Sequence, residues 1–162
     1  DYLYRKYFPK INNFVFHRVT DESVRNEIVS NVFFKAMKRL SLFRFLDSKR
    51  CSFSSWLYRI AVNEVNQYYR NRKRDEKIRE MHKLNPEPIS SNELNFEIVR
   101  KKIETFNLEE QNLIALRFFE KLSYKDIAEI SKKKEGAVKV RIHRILNKLR
   151  ESLKREIKNE RS

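Results

Sequence analysis

An all-helical protein of two small domains is what this sequence predicts, and three observations carry the prediction. Glycine occurs once and proline three times in 162 residues, which leaves little of the turn chemistry that a sheet requires. Apolar residues recur at three- and four-residue spacing rather than in alternation. Charge falls into two basic blocks around a near-neutral strip: residues 1–75 carry 16 basic and 7 acidic groups, 76–95 carry 3 and 4, and 96–162 carry 18 and 11. That strip, EKIREMHKLNPEPISSNELN, holds Pro86 and Pro88 among Asn85, Ser90, Ser91 and Asn92, which break helical pattern. It reads as a linker between domains at 1–75 and 96–162.

In the first block, Tyr2 to about Arg18 is an aromatic-rich helical pattern, and Asp21 to about Phe45 places Val24, Ile28, Val32, Ala36 and Leu40 on one stripe. A third pattern, FSSWLYRIAVNEVNQYYRNRKR, buries Phe53, Trp56, Leu57, Ile60, Ala61, Val65 and Tyr68 or Tyr69. Trp56 lies within that apolar stripe and is expected in the core. The opposite face repeats Arg59, Asn63, Asn66, Gln67 and Arg70 at helical spacing and ends in Arg72, Lys73 and Arg74. Amides offer both donors and acceptors to base edges, and the basic end suits phosphates. A solvated face with a charged end favourable to the helix dipole fits the same pattern.

In the second block, Asn107 with Glu110 and Ser123 with Asp126 mark two helix starts by the capping-box spacing. The polar SKKKE makes a brief turn after Ile130, and Val138, Ile142, Ile145, Leu149 and Leu153 then give a long apolar stripe. A short helix, a tight turn and a longer basic helix form a helix-turn-helix, whose second helix enters the major groove. Its exposed face shows Lys139, Val140, His143, Arg144, Asn147 and Lys148. Gly136, the single glycine, stands at the start of that helix. Lacking a Cβ, it would permit close approach to the partner helix or to a phosphate backbone, or it is simply a turn glycine.

The net charge of +15 points to a polyanionic partner. A membrane surface would attract the same charge, but no apolar run approaches the roughly 20 residues a spanning helix needs and no signal peptide opens the chain, so a soluble cytoplasmic protein without membrane insertion is expected. The lone Cys51 cannot form an internal disulfide. Enzymatic chemistry has little to rest on. His17, His82 and His143 are scattered, no glycine loop cradles phosphate, and Asp21, Glu22 and Glu27 read as surface carboxylates. Neither a metal site nor a cofactor is expected.

Together, SFSSWLYRIAVNEVNQYYRNRKR and LSYKDIAEISKKKEGAVKVRIHRILNKLRESL resemble a bacterial sigma-70 family factor of the small extracytoplasmic-function type, over nearly the whole chain. The resemblance implies that the first block is a sigma-2 domain, which binds the core RNA polymerase clamp and melts the minus-10 element, and the second a sigma-4 domain, which reads the minus-35 element of promoter DNA. An anti-sigma factor is a further implied partner. Carried over by position, Asn63, Gln67, Arg59 and Arg70 face the minus-10 strand, and the loop from Asp47 to Ser52 holds an extruded base. Lys139, Val140, His143 and Arg144 face the minus-35 groove, with Arg141 on phosphate. Glu27, Ser30, Asn31 and Phe34 fall on the polymerase-binding stretch. Extrusion has a physical basis, because edges used in pairing become readable only once the strand opens.

The chain departs from the family pattern in places. RNEIVSNVF stands where AEDLVQEVF is usual, so Glu27 replaces Asp, Ser30 replaces Gln and Asn31 replaces Glu. Lys132, Lys133 and Lys134 occupy a turn that usually carries glycine, an apolar residue and a capping hydroxyl, which predicts a looser turn. Val140 stands where serine is frequent, which favours contact with a thymine methyl. The chain starts inside its first helical pattern without an initiator Met, as if residues preceded it. Two other readings accommodate a helix-turn-helix: an autonomous transcriptional regulator and a DNA-binding fragment of a recombinase. A plain regulator has no need of the amide-faced helix, and a recombinase should bring a nucleophile and clustered arginines.

Overall fold

The computed structural model describes residues 1–80 and 94–160. Within them lie seven α-helices and two π-helical turns. In the first domain α1 (Tyr2–Phe16), α2 (Glu22–Leu42) and α3 (Phe53–Glu80) form a bundle, and a π-helical turn (Phe43–Asp47) prolongs α2. The second domain contains α4 (Leu94–Glu104), α5 (Leu108–Ile114), a π-helical turn (Ala115–Phe119), α6 (Tyr124–Ser131) and α7 (Glu135–Glu160).

Each helix forms where spacing and caps direct it. On α1 the residues Tyr7, Ile11, Phe14 and Val15 are buried, a stripe of i, i+4, i+7 and i+8 that outweighs the hydrogen bond Pro9 removes. Asp21 caps α2 by accepting from the Val24 N–H at 3.0 Å. Ile28, Val32 and Ala36 are buried along the expected stripe, with Val24 and Leu40 at its half-buried ends. Trp56 is 6% exposed and lies 4.8 Å from the Phe43 ring, so it is core as expected. Fully burying a side chain such as Leu57 or Val65 contributes about 1.5 to 3 kcal/mol.

The strip expected to be a linker is partly helical. No proline or glycine interrupts the chain between Arg70 and Glu80, and Arg72 pairs with Glu76 one turn on, Nε to Oε1 at 2.9 Å. α3 therefore runs to Glu80, five residues past the expected domain end at 75. Pro86 and Pro88 lie outside the described residues.

The second domain starts its helices with the anticipated devices. Asn107 and Glu110 form a complete capping box, and Ser123 accepts from the Asp126 N–H at 3.0 Å. The turn after α6 is not loose. Lys132 adopts the left-handed conformation (φ 54°, ψ 41°), and the Lys133 N–H donates to the Ala128 carbonyl at 3.0 Å. Lysine thus closes the turn where the family uses glycine, carrying the steric penalty of its Cβ. Lys121 repeats this conformation (φ 54°) before α6.

Gly136 corrects another expectation. It sits in the first turn of α7 with φ outside the positive region, and a Cβ built there would meet nothing within 4 Å. No close approach to a partner helix calls for it. The two domains also touch: α3 packs against α6 and α1 against the second π-helical turn. Tyr58, 1% exposed, lies at this junction.

Candidate nucleic-acid interface

Two polar helical faces, one on each domain, carry the residues expected to meet DNA. On α3, Asn63, Gln67 and Arg70 are exposed, whereas Arg59 and Asn66 are half-buried. The difference comes from the second domain. Arg59 donates from Nη2 to the Glu129 carbonyl at 2.7 Å and from Nε to that of Ile130 at 3.4 Å. These carbonyls end α6, where a cation is favoured by the helix dipole. Asn66 Oδ1 accepts from Asn112 Nδ2 at 2.8 Å. Gln67 Nε2 donates along its own helix to Asn71 Oδ1 at 3.0 Å, in an exposed contact that solvent or a base edge can replace.

The open part of the stripe forms one wall of a cleft whose other wall is α2. Lys35 and Arg39, one turn apart on α2, face Asn63, Gln67 and Arg70 across it. Lys35 pairs with Glu64 on the cleft wall. Sequence reading missed Lys35 and Arg39. Their i, i+4 spacing was visible, but nothing in a linear chain sets α2 opposite α3 at this register.

The loop before α3 is tightly made. The Asp47 carbonyl accepts from the N–H groups of Arg50 at 2.8 Å and Cys51 at 3.0 Å, and Ser48 Oγ donates to the Arg44 carbonyl at 2.8 Å. Cys51 is buried, and burial pushes its thiol pKa up, which disfavours the thiolate. The second domain reaches this loop as well, since the Ser52 N–H donates to Glu129 Oε2 at 3.2 Å.

On α7, Lys139, Val140, His143 and Arg144 all face solvent, with Val140 51% exposed. Val138, Ile142 and Ile145 fix this register by burying the opposite side. Glu110 of α5 holds the helix from beneath: it is 6% exposed, and its Oε1 lies 3.2 Å from Lys148 Nζ and 3.7 Å from Arg141 Nη2. Arg141, expected at phosphate, turns toward that carboxylate and is only half-exposed. In the turn, Lys133 pairs with Glu109 while Lys132 and Lys134 are exposed.

A third surface gathers the residues assigned to polymerase. Glu27, Ser30, Asn31 and Phe34 follow one another at helical spacing on α2; Glu27, Ser30 and Phe34 are exposed and Asn31 half-buried. Phe34, 53% exposed, carries Lys38 Nζ 4.7 Å from its ring centroid. The stripe continues into exposed Met37. Phe34 and Met37, two exposed apolar side chains on this face, suit a protein partner more than DNA. Among the described residues no cluster could hold a metal ion and no helix is long and apolar enough to cross a membrane.

Paired helical domains with an amide-and-arginine face on one and a helix-turn-helix on the other define a promoter-reading protein. Residues 3–75 match sigma-70 region 2 and residues 103–151 match sigma-70 region 4, so the two regions take in most of the chain. The chain is 29% identical to RNA polymerase sigma factor YlaC of Bacillus subtilis, over 98% of this chain and 94% of that protein. It is 25% identical to ECF RNA polymerase sigma factor BldN of Streptomyces coelicolor, over 91% of this chain and 57% of that protein. A solved structure of sigma factor RpoE in complex with the anti-sigma factor NepR, from Bartonella quintana, has the same fold. There the TM-score is 0.66 at 22% identity, covering 93% of this chain and 94% of that one. The chain belongs to the sigma-70 family, as a factor of the extracytoplasmic-function type. It is a promoter-specificity subunit of bacterial RNA polymerase.

Proposed function

We propose that promoter choice is divided between the two polar faces, with the exposed stripe of Asn63, Gln67 and Arg70 reading the opened minus-10 strand and Lys139, Val140, His143 and Arg144 reading the minus-35 duplex. The observation that carries this division is their exposure on helices whose opposite faces are buried core. Amides and a guanidinium can bond unpaired base edges, while exposed Arg39 across the cleft supplies a phosphate contact. On α7, Arg144 offers the bidentate fork that suits guanine and Val140 an apolar contact for a thymine methyl. Gly136, with open space around it, lets a phosphate approach the start of α7.

Glu27, Ser30, Asn31 and Phe34 dock on the core polymerase, whose active centre performs the chemistry; this chain contributes no catalytic group and no cofactor. It acts in the cytoplasm, and an anti-sigma factor is the regulating partner its family relationship supports, since the related RpoE is seen in complex with one.

The test is association with core polymerase followed by transcription from a promoter library. With Asn63→Ala, activity on closed duplex promoters should fall and minus-10 preference should change; on a pre-opened template, activity should recover while the altered preference persists. Unchanged activity and preference on both templates would return this face to solvated surface. Tight sequence-specific duplex binding by the isolated chain would favour an autonomous regulator.

A further inference from the structure

The cleft between α2 and α3 holds a carboxylate where a polyanionic strand is proposed to pass. Lys35 precedes buried Ala36 and Glu64 precedes buried Val65, so each side chain stands at the rim of its helix's core stripe. Their pairing joins the two walls: Lys35 Nζ donates to Glu64 Oε1, with the Glu64 side chain 12% exposed and that of Lys35 44%. Oε2 of Glu64 takes no hydrogen bond among the described residues. Ile60 lies one turn before Glu64 and Gln67 nearly one turn after it, and the cleft they line measures about 360 Å³, large enough for one base.

Joining two helices is weak grounds for an acid in this place. A partly exposed ion pair contributes little to stability, and a carboxylate beside a phosphate backbone repels it. Reading a base gives the acid a use. Along the pair, Nζ, Oε1 and Oε2 present donor, acceptor and acceptor, the order in which the pairing edge of cytosine presents its amino group, ring nitrogen and carbonyl.

We infer that the Lys35–Glu64 pair is a fixed stand-in for cytosine and selects an unpaired guanine in the opened strand. Nζ donates to guanine O6, Oε1 accepts from N1–H and Oε2 accepts from the N2 amino group. The inference rests on the assignment of this cleft to the opened minus-10 strand. Every other base sets an acceptor against a carboxylate oxygen: thymine its O2 against Oε2, adenine and cytosine a ring nitrogen against Oε1. Arg39, exposed one turn along α2, neutralises the phosphate that arrives with the base. Duplex DNA hides the edge being read, so this selection operates only after the strand has opened.

Holoenzyme binding to a pre-opened promoter library, with each unpaired position carrying each of the four bases in turn, tests the inference. One opened position should prefer guanine about tenfold. Inosine placed there lacks the N2 amino group and should bind about fivefold more weakly than guanine. Deazaguanine without the N7 acceptor should match guanine, because N7 lies on the other edge. Both analogues are read with the unmodified chain and do not depend on how a variant folds. Glu64→Gln puts an amide donor where an acceptor is needed; it should abolish the preference while changing binding of the other three bases by less than about twofold.

A guanine preference that survives Glu64→Gln, or that is lost with N7 rather than with the N2 amino group, would overturn the inference. So would an equal loss on all four bases with Glu64→Gln, the outcome for a pair that only joins two helices. If no opened position prefers guanine while Asn63→Ala still alters minus-10 preference, the inference falls and the assignment of the cleft stands. If Asn63→Ala is silent as well, both fall.

Discussion

α3 and α7 are built on the same plan and end in different states. Both are long amphipathic helices, 28 and 26 residues, with an apolar stripe against their own domain and a polar stripe opposite. On α7 the whole proposed reading face is open; on α3 two of the five polar groups are bonded to the other domain. Amphipathic pattern therefore fixes which side of a helix turns away from its own core, but not whether that side is free. Availability depends on contacts between residues some 45 to 70 positions apart, such as Asn66 with Asn112 and Arg59 with Glu129.

The largest way to break the comparison is to remove the core of one member. Trp56→Ala should destabilise the first domain by about 3 to 5 kcal/mol, as deletion of a buried aromatic usually does. Denaturant unfolding followed by circular dichroism measures it, and a loss below about 1 kcal/mol would mean that Trp56 serves a surface role instead.

A smaller effect sharpens the α7 side. Arg144→Ala should lose about 1 to 3 kcal/mol of discrimination at one minus-35 position. Lys134→Ala should instead weaken binding to all sequences and reduce the salt slope by about 1. Holoenzyme binding to a minus-35 library at several salt concentrations separates the two. A uniform loss with Arg144→Ala would shift the register of the reading face. Lys133 is a poor choice for this comparison, because its charge is already paired with Glu109.

The smallest effects concern the ends of the helix-turn-helix. Lys132→Gly should raise stability by about 1 kcal/mol, since glycine adopts the left-handed conformation without a Cβ clash. Gly136→Ala should raise it by about 0.5 to 1 kcal/mol, because the site is helical with open space around it. Thermal melts check both. If Gly136→Ala also weakens duplex binding by the holoenzyme, the glycine serves phosphate approach; unchanged binding leaves it a helix-start residue without that role.

Much of this fold was legible in the chain. Asn107 and Ser123 announce their helices because a cap is local chemistry, decided within four residues; Asp21, read as a surface carboxylate, caps α2 in the same way. The stripes of α2, α3 and α7 followed from spacing for the same reason. α3 runs on to Glu80 because the sequence from Arg70 is uninterrupted helical pattern, and the prolines several residues downstream do not reach back to break it. Lysine in a left-handed turn was unreadable as such, since its exposed side chain gives no sign of the conformation and only the backbone bond from Lys133 N–H to the Ala128 carbonyl marks it. Of the candidate site, period placed Asn63, Gln67 and Arg70 on the polar face of α3 and Lys139, Val140, His143 and Arg144 on the exposed face of α7, while their role toward DNA comes from the family resemblance. Lys35 and Arg39 required the docking of one helix on another, and Tyr58 was hidden because a tyrosine beside an apolar stripe does not show which neighbour will cover it.

The length of α3 has a mechanical consequence. Its last residues packed against the core are Tyr68 and Tyr69, and from Arg70 to Lys77 its side chains are exposed. At 1.5 Å per residue, Glu80 stands about 16 Å beyond Tyr69. A 10° tilt about that anchored base sweeps the tip by about 3 Å, roughly the spacing of one base along a stacked strand. The first domain thus owns a lever: a rotation too slight to disturb its packing becomes, where α3 hands the chain on, a displacement on the scale of a nucleotide.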